Sequence, residues 1–220
     1  MALSGLDFDK VLGKIGSSSP LTVYGKVHDV VGLTIEASGP PSRIGDLCYV
    51  HAPDTGAKIP VEVVGFRGKR TLLMPLADSR GIGPESLLLA TGAPLQVRAG
   101  EGLIGRVVGG LGQPIDRGPA WASDKLIDVM ATPPRPLERT RITKPIATGV
   151  RSIDACITCG KGQRLGVMAG SGVGKSKLMG MMARNTSADI SVIALIGERG
   201  REVRDFIESD LGEEGLKRSI

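Results

Sequence analysis

Eight residues, Ala169-Gly170-Ser171-Gly172-Val173-Gly174-Lys175-Ser176, constrain the rest of the chain. They follow an apolar run from Gln163 to Met168 and precede Lys177 to Ala183, where apolar residues recur at helical spacing. Strand, glycine-rich turn and helix in that order make a phosphate-binding P-loop. The glycines let backbone N–H groups converge on phosphate oxygens, and the helix N-terminus behind them adds partial positive charge. Lys175 is expected to reach the β- and γ-phosphates of a nucleotide, and Ser176 to hold Mg²⁺. The first glycine of the G-x-x-x-x-G-K-[ST] form is Ala169 here, and Gly170 and Gly172 supply the flexibility. A chance lysine beside a flexible turn would not account for the strand before it and the helix after it.

After the P-loop helix comes Ile190 to Ile196, an almost unbroken apolar run of the kind that forms a parallel strand covered on both faces. It stops at Gly197-Glu198-Arg199-Gly200. Ligands of open α/β sheets bind at the carboxyl ends of the strands, so Glu198 is expected close to the P-loop. Hydrolysis of a γ-phosphate needs an in-line water held by a carboxylate or amide, and positive charge on the equatorial oxygens. Glu198 can supply the first and Arg199 the second; the bland alternative pairs Glu198 with Arg199 or Arg201. Val203, Phe206, Ile207 and Leu211 mark one face of a following helix, and Lys217 to Ile220 looks like the start of another strand.

Upstream the texture is different. Leu21 to Val27, Val30 to Ala37, Leu47 to His51, Lys58 to Val64, Thr71 to Pro75 and Pro94 to Arg98 are short β-rich runs separated by Gly, Pro, Asp and Ser. Six short strands at this spacing predict a small closed β-barrel, a structural collar without clustered catalytic residue types. The expected division is an N-terminal segment over 1–19, a barrel over 20–99, a connecting segment over 100–142 and a nucleotide domain over 143–220. Residues 1–15 carry a loose helical stripe, and 100–141 are rich in Gly and Pro, with Arg135, Arg139, Arg141 and Lys144 read as solvated.

Composition narrows the function. The net charge of +5 is scattered, with ten basic and eight acidic residues between Gly160 and Ile220, and aromatics make only 3%. Neither a basic face nor stacking platforms for bases are present, so nucleic acid is not an expected partner. No run of eighteen apolar residues and no secretory leader is visible, and three cysteines fit a reducing compartment. Cys156-Ile157-Thr158-Cys159 lacks the second ligand pair of a zinc site, with His28 and His51 far back in the chain.

AGSGVGKS, the GERGREV of Gly197 to Val203, GQRLGVMAG before the P-loop, GVRSIDA of Gly149 to Ala155 and LIGRVVGGLGQPID of Leu103 to Asp116 together resemble the flagellar and type III secretion export ATPases, relatives of the rotary ATP synthase β subunit. The resemblance runs from about residue 20 to the end. It implies a mixed fold, a small N-terminal β-barrel followed by an α/β RecA-like P-loop ATPase domain that is truncated at its C-terminal side. It implies ATP and Mg²⁺ as ligands, Ala169 to Ser176 as the phosphate-binding run, and Lys175, Glu198 and Arg199 as catalytic residues. It also implies a homohexamer in the cytoplasm, with at most peripheral contact at the inner membrane, working with export apparatus proteins, regulators and secretion chaperones. The family's second Mg²⁺-side aspartate, arginine finger and adenine pocket lie beyond Ile220, so the 220 residues alone are expected to bind nucleotide weakly and not to turn it over. The readings that compete with an export ATPase are a subunit of a proton-coupled rotary ATPase, a non-catalytic nucleotide-binding ring subunit, which needs no carboxylate where Glu198 stands, and a Rho-type RNA translocase.

Overall fold

The computed structural model describes residues 22–220 apart from 54, 120, 122, 124 and 171. The expected N-terminal helical stripe, Leu21 and Ser171 lie outside the described residues. The chain divides into two compact units, one holding residues up to Gln96 with Asp128–Met130, the other Val97–Ile127 with Ala131–Ile220.

The first unit is built on a closed barrel. Its strands are β1 (Tyr24–Val31), β2 (Thr34–Ser38), β3 (Asp46–His51), β4 (Lys58–Arg67), β5 (Arg70–Pro75) and β6 (Leu87–Pro94), in the order β1-β2-β5-β4-β3-β6, with β6 closing on β1. Every pairing is antiparallel. Alternation decides which side chains enter the barrel: along β4, Ile59, Val61 and Val63 are buried while Lys58 and Val64 are exposed. Val27, Ile35, Val50, Val61, Leu73 and Leu88 are fully enclosed, each stabilising the barrel by about 1.5–3 kcal/mol through apolar burial. Two-residue turns join β1 to β2 and β4 to β5, and both need a glycine in the left-handed region, Gly32 at φ 61° and Gly68 at φ 59°.

The barrel has six strands as expected, but the boundary between the first two lies elsewhere and the sixth is a different stretch. His28-Asp29, read as a break between strands, is an irregularity inside β1, where the register shifts between Val27 and Asp29 and the Asp29 carboxylate accepts the Val30 N–H at 2.8 Å. The turn comes at Gly32-Leu33, so Val30 and Val31 belong to β1. The sixth barrel strand is Leu87–Pro94, not Pro94 to Arg98. Its Leu-Leu-Leu-Ala run does not alternate and Thr91-Gly92 imitates a turn, yet the Thr91 hydroxyl donates to the Leu47 carbonyl at 2.6 Å and ties the strand to its neighbour. Gln96–Arg98 instead forms a short strand, β7, paired with β8 (Leu126–Asp128).

In the second unit a two-stranded ladder of β9 (Pro145–Ile146) and β10 (Cys159–Gly160) flanks α1 (Arg151–Cys156). Asp154 anchors the entry to α1 by accepting the Thr148 N–H and hydroxyl and the Gly149 N–H at 2.7–3.0 Å. The P-loop helix α2 (Lys175–Asn185) is followed by α3 (Gly200–Asp205), a π-helical turn Phe206–Leu211 and α4 (Gly212–Leu216). Two apolar clusters grip α2. Leu178 and Met182 pack on Val150, Ile153 and Cys159, while Ala183 joins Phe206, Leu211, Ile193 and Leu195.

The run Ile190 to Ile196 is not the regular strand expected: it carries one bridge, at Ser191, and its residues alternate between half-buried and exposed, so one face is covered and not both. Ile193 and Leu195 turn into the cluster around α2, whereas Val192 and Ile196 are exposed among the described residues. Its ladder partner is the chain end: Ser191 bridges Ser219 in parallel, and the Ile193 N–H donates to the Ile220 carbonyl at 2.8 Å. Of the expected strand start at Lys217 to Ile220, Lys217 and Arg218 are instead the turn that ends α4, and only Ser219 and Ile220 pair with the run. Gln163 to Ala169 is in no ladder among the described residues. The glycine-rich segment before β8 is tied into this unit, with the Gly105 N–H donating to the Ser219 carbonyl at 2.8 Å. No described helix is long and apolar enough to cross a membrane.

Candidate nucleotide-binding site

The loop before α2 owes its shape to two glycines. Gly172 has φ 78°, and Gly174, the residue that caps the N-terminus of α2, has φ 98°. A Cβ on either would meet no atom within 4 Å, so the requirement is for backbone conformation and not for space. Between and beyond them the first N–H groups of α2 have no helical partner, and the helix dipole directs partial positive charge to the same place. Lys175 opens the helix and no acidic residue occupies its first turn.

These elements border a concavity of about 590 Å³ lined by Ala169, Gly170, the run Gly172–Lys177, Glu198 and Glu202. Every described residue of the expected phosphate-binding run is therefore on its wall. Glu198 comes to it from the end of the strand-like run 190–196, is half-buried, and makes no hydrogen bond or ion pair among the described residues. Among the described residues it forms no ion pair with Arg199 or Arg201, the pairing weighed above, and it shares the concavity with Lys175 and Lys177. Arg199 is placed differently. It caps α3, is exposed, does not line the concavity, and its Nη1 lies 3.7 Å from Glu202 Oε1.

Lys177 and Glu202 were missing from the sequence reading. Glu202 lies in the first turn of α3, four residues past Glu198, which itself precedes the helix. Lys177 lies in the first turn of α2, where a cation opposes the dipole and calls for an anion nearby.

The residues present suit a phosphate chain with its metal. Converging N–H groups and two lysines meet phosphate oxygens. The Ser176 hydroxyl and the carboxylates are oxygen donors of the kind Mg²⁺ takes.

Comparison with known proteins agrees with this chemistry. A model described as the ATP synthase alpha/beta family, nucleotide-binding domain, matches residues 149–220. The chain is 53% identical over 198 residues to the flagellum-specific ATP synthase of Bacillus subtilis, covering 90% of this chain and 45% of that protein. It is 46% identical over 197 residues to the type 3 secretion system ATPase of Xanthomonas euvesicatoria, with the same two coverages. Among solved structures, the assembled ATPase EscN from the type III secretion system of enteropathogenic E. coli matches with a TM-score of 0.79 at 38% identity, over 89% of this chain and 47% of that one. A structure of EscN in complex with its central stalk EscO matches equally. The chain spans about half the length of the curated relatives it matches. The barrel followed by a P-loop unit is thus the architecture shared with EscN.

Proposed function

For a chain related in sequence and fold to the flagellum-specific and type 3 secretion ATPases, we propose the barrel and P-loop portion of an ATP-hydrolysing motor subunit that energises protein export through a flagellar or other type III secretion apparatus. The observation that carries this reading is the shared wall of the concavity, where the P-loop and Glu198 meet in a chain with such relatives.

Bound ATP·Mg²⁺ supplies the phosphoanhydride to be cleaved and the charge that offsets the leaving phosphate. Gly172 and Gly174 hold the loop open so that backbone N–H groups of the P-loop donate to phosphate oxygens, while Lys175 contributes a full charge and Ser176 an oxygen for the metal. Glu198, without a protein partner among the described residues, orients a water molecule and accepts its proton. Arg199 can serve the γ-phosphate only by leaving Glu202, an exposed pair at 3.7 Å that costs little to open. EscN in an assembled form and with its central stalk EscO supports an oligomer with a partner in the export apparatus; the finer reading is a homohexamer that also meets regulators and secretion chaperones. The working place is the cytoplasm, with at most peripheral contact at the inner membrane.

Lys175→Ala in the full gene product tests the proposal through phosphate release and through secretion of export substrates by cells carrying it. Both are expected to collapse. Undiminished phosphate release would overturn the ATPase assignment; lost hydrolysis with normal export and motility would move the protein to a proton-coupled rotary ATPase.

A further inference from the structure

We propose that Lys177 is a second phosphate-binding cation of this site and that Asp210 holds its ammonium in reserve. The inference rests on the P-loop reading above and extends it to two residues that lie outside the motif.

Three observations point the same way. Lys177 lines the concavity together with Lys175 and Ser176. It also sits in the first turn of α2 two residues after another lysine, with no acidic residue in that turn. A cation at the positive end of a helix opposes the dipole, so an anion beside Lys177 stabilises it there. Finally, Lys177 Nζ lies 3.4 Å from Asp210 Oδ1, and Asp210 does not line the concavity. The ammonium is therefore drawn away from the phosphate side.

Asp210 is fixed where it stands by backbone packing. The π-helical turn Phe206–Leu211 rests directly on α2 at Gly180, where a Cβ would lie 2.5 Å from the Asp210 carbonyl oxygen. Gly180 is three residues after Lys177, on the same side of α2, so the contact brings the carboxylate under the lysine. The two partners differ in freedom. The Lys177 side chain is 77% exposed and the Asp210 side chain only 14%. A long, mobile, solvated lysine paired loosely with a fixed carboxylate is easily captured by a more highly charged anion, because exposed ion pairs are weak and charge-assisted bonds to phosphate are strong. A nucleoside triphosphate is such an anion. Asp210 then sets how much of the Lys177 charge the phosphate chain receives.

The test is a titration of the chain with a fluorescent N-methylanthraniloyl ATP in the presence of Mg²⁺. Lys177→Met is expected to weaken binding about three- to tenfold and to flatten its dependence on salt, as loss of one phosphate-facing charge does. Lys177→Arg, which keeps the charge, is expected to stay close to the parent chain. Asp210→Asn is expected to tighten binding about two- to fivefold by releasing the lysine, and to do nothing in the Lys177→Met background. A purely structural ion pair predicts the opposite sign, since breaking it would loosen α2 and weaken binding. Parent-like affinity in Lys177→Met, or weaker binding in Asp210→Asn, overturns the proposal. Lys175→Ala in the same series separates the two levels: if it too binds like the parent, the P-loop reading itself falls, whereas loss of binding there with no effect at Lys177 sinks only the second cation.

Discussion

Arg106 holds Asp116 with both arms of its guanidinium, Nε donating to Oδ2 at 2.8 Å and Nη2 to Oδ1 at 2.6 Å. The same carboxylate accepts the Val107 and Gly118 N–H groups at 2.8 and 3.1 Å, and Arg106 Nη1 reaches the Pro119 carbonyl at 2.5 Å. The guanidinium also lies 5.2 Å from the centre of the Trp121 ring. A glycine-rich stretch with few apolar anchors is thereby closed into a fixed loop.

Stability of the second unit should fall in acid because of this pair. The Arg106 hydrogen bonds, helped by the Val107 and Gly118 N–H groups and opposed by partial burial, hold the Asp116 carboxyl well below the usual range. Asp154 is lowered in the same direction, first by the Thr148 hydroxyl. A depressed carboxyl stabilises the fold at every pH above its unfolded value near 3.9, and that contribution drains away as pH falls below it. Thermal melts between about pH 7 and pH 2 should therefore show a steepening loss below about pH 4. Asp116→Asn should melt a few degrees lower at neutral pH and show a shallower acid limb, with Asp154 keeping part of it. An unchanged acid limb would remove Asp116 from the account.

Gly180→Ala sets helix propensity against packing. Alanine in a helix interior is favoured over glycine by about 1 kcal/mol. Here, however, the added methyl would press on the backbone oxygen of Asp210, which cannot rotate away. Overpacking of this kind costs about 1–3 kcal/mol, so the variant should be neutral to destabilised by about 2 kcal/mol. Urea unfolding at constant m-value reads the sign. A stabilised variant would mean that α2 and the π-helical turn are not in firm contact.

The three cysteines should react in a fixed order. Cys48 is fully enclosed in the barrel, and burial, reinforced by the charge of Asp46, pushes its thiol up to about 11. Cys159 is buried and Cys156 exposed. At neutral pH a disulfide reagent should modify Cys156 quickly and Cys48 only on unfolding, because the thiolate is the reacting form. Peptide mass spectrometry after timed labelling gives the order, and fast labelling of Cys48 in the native chain would contradict the closed barrel.

What the sequence disclosed depended on whether a feature is local. The alternation of Ile59, Val61 and Val63, and the glycines of the loop before α2, are local, and each produces its element where it was read. The break at His28-Asp29 was misplaced because a polar pair in a strand looks the same whether it turns the chain or forms a bulge. Leu87–Pro94 went unread because its place is fixed by neighbours distant in sequence, as in the Thr91 hydrogen bond to Leu47. The pairs Arg106–Asp116 and Lys177–Asp210 are tertiary as well, 10 and 33 residues apart. Glu202 reaches the concavity only through the angle at which α3 leaves Glu198, which no spacing rule supplies.

Two carboxylates on one wall must be told apart by their partners. Glu198 has none among the described residues, while Glu202 has Arg199 at 3.7 Å. A general base needs a free carboxylate within reach of the attacking water, and a carboxylate held by a guanidinium is less free to turn toward that water. Glu198→Gln in the full gene product should therefore retain ATP binding within about threefold and lose turnover by roughly 10²- to 10⁴-fold, the scale of a lost general base. Glu202→Gln should lose far less, because it removes only the tether on Arg199, and freeing that arginine can even assist charge neutralisation at the γ-phosphate. Equilibrium titration with the fluorescent nucleotide and single-turnover phosphate release separate binding from chemistry in each variant. If Glu202→Gln lost turnover on that scale and Glu198→Gln kept near-parent turnover, the role of base would pass from Glu198 to the half-tethered Glu202, and the position of Glu198 would have to be read as support for the P-loop alone.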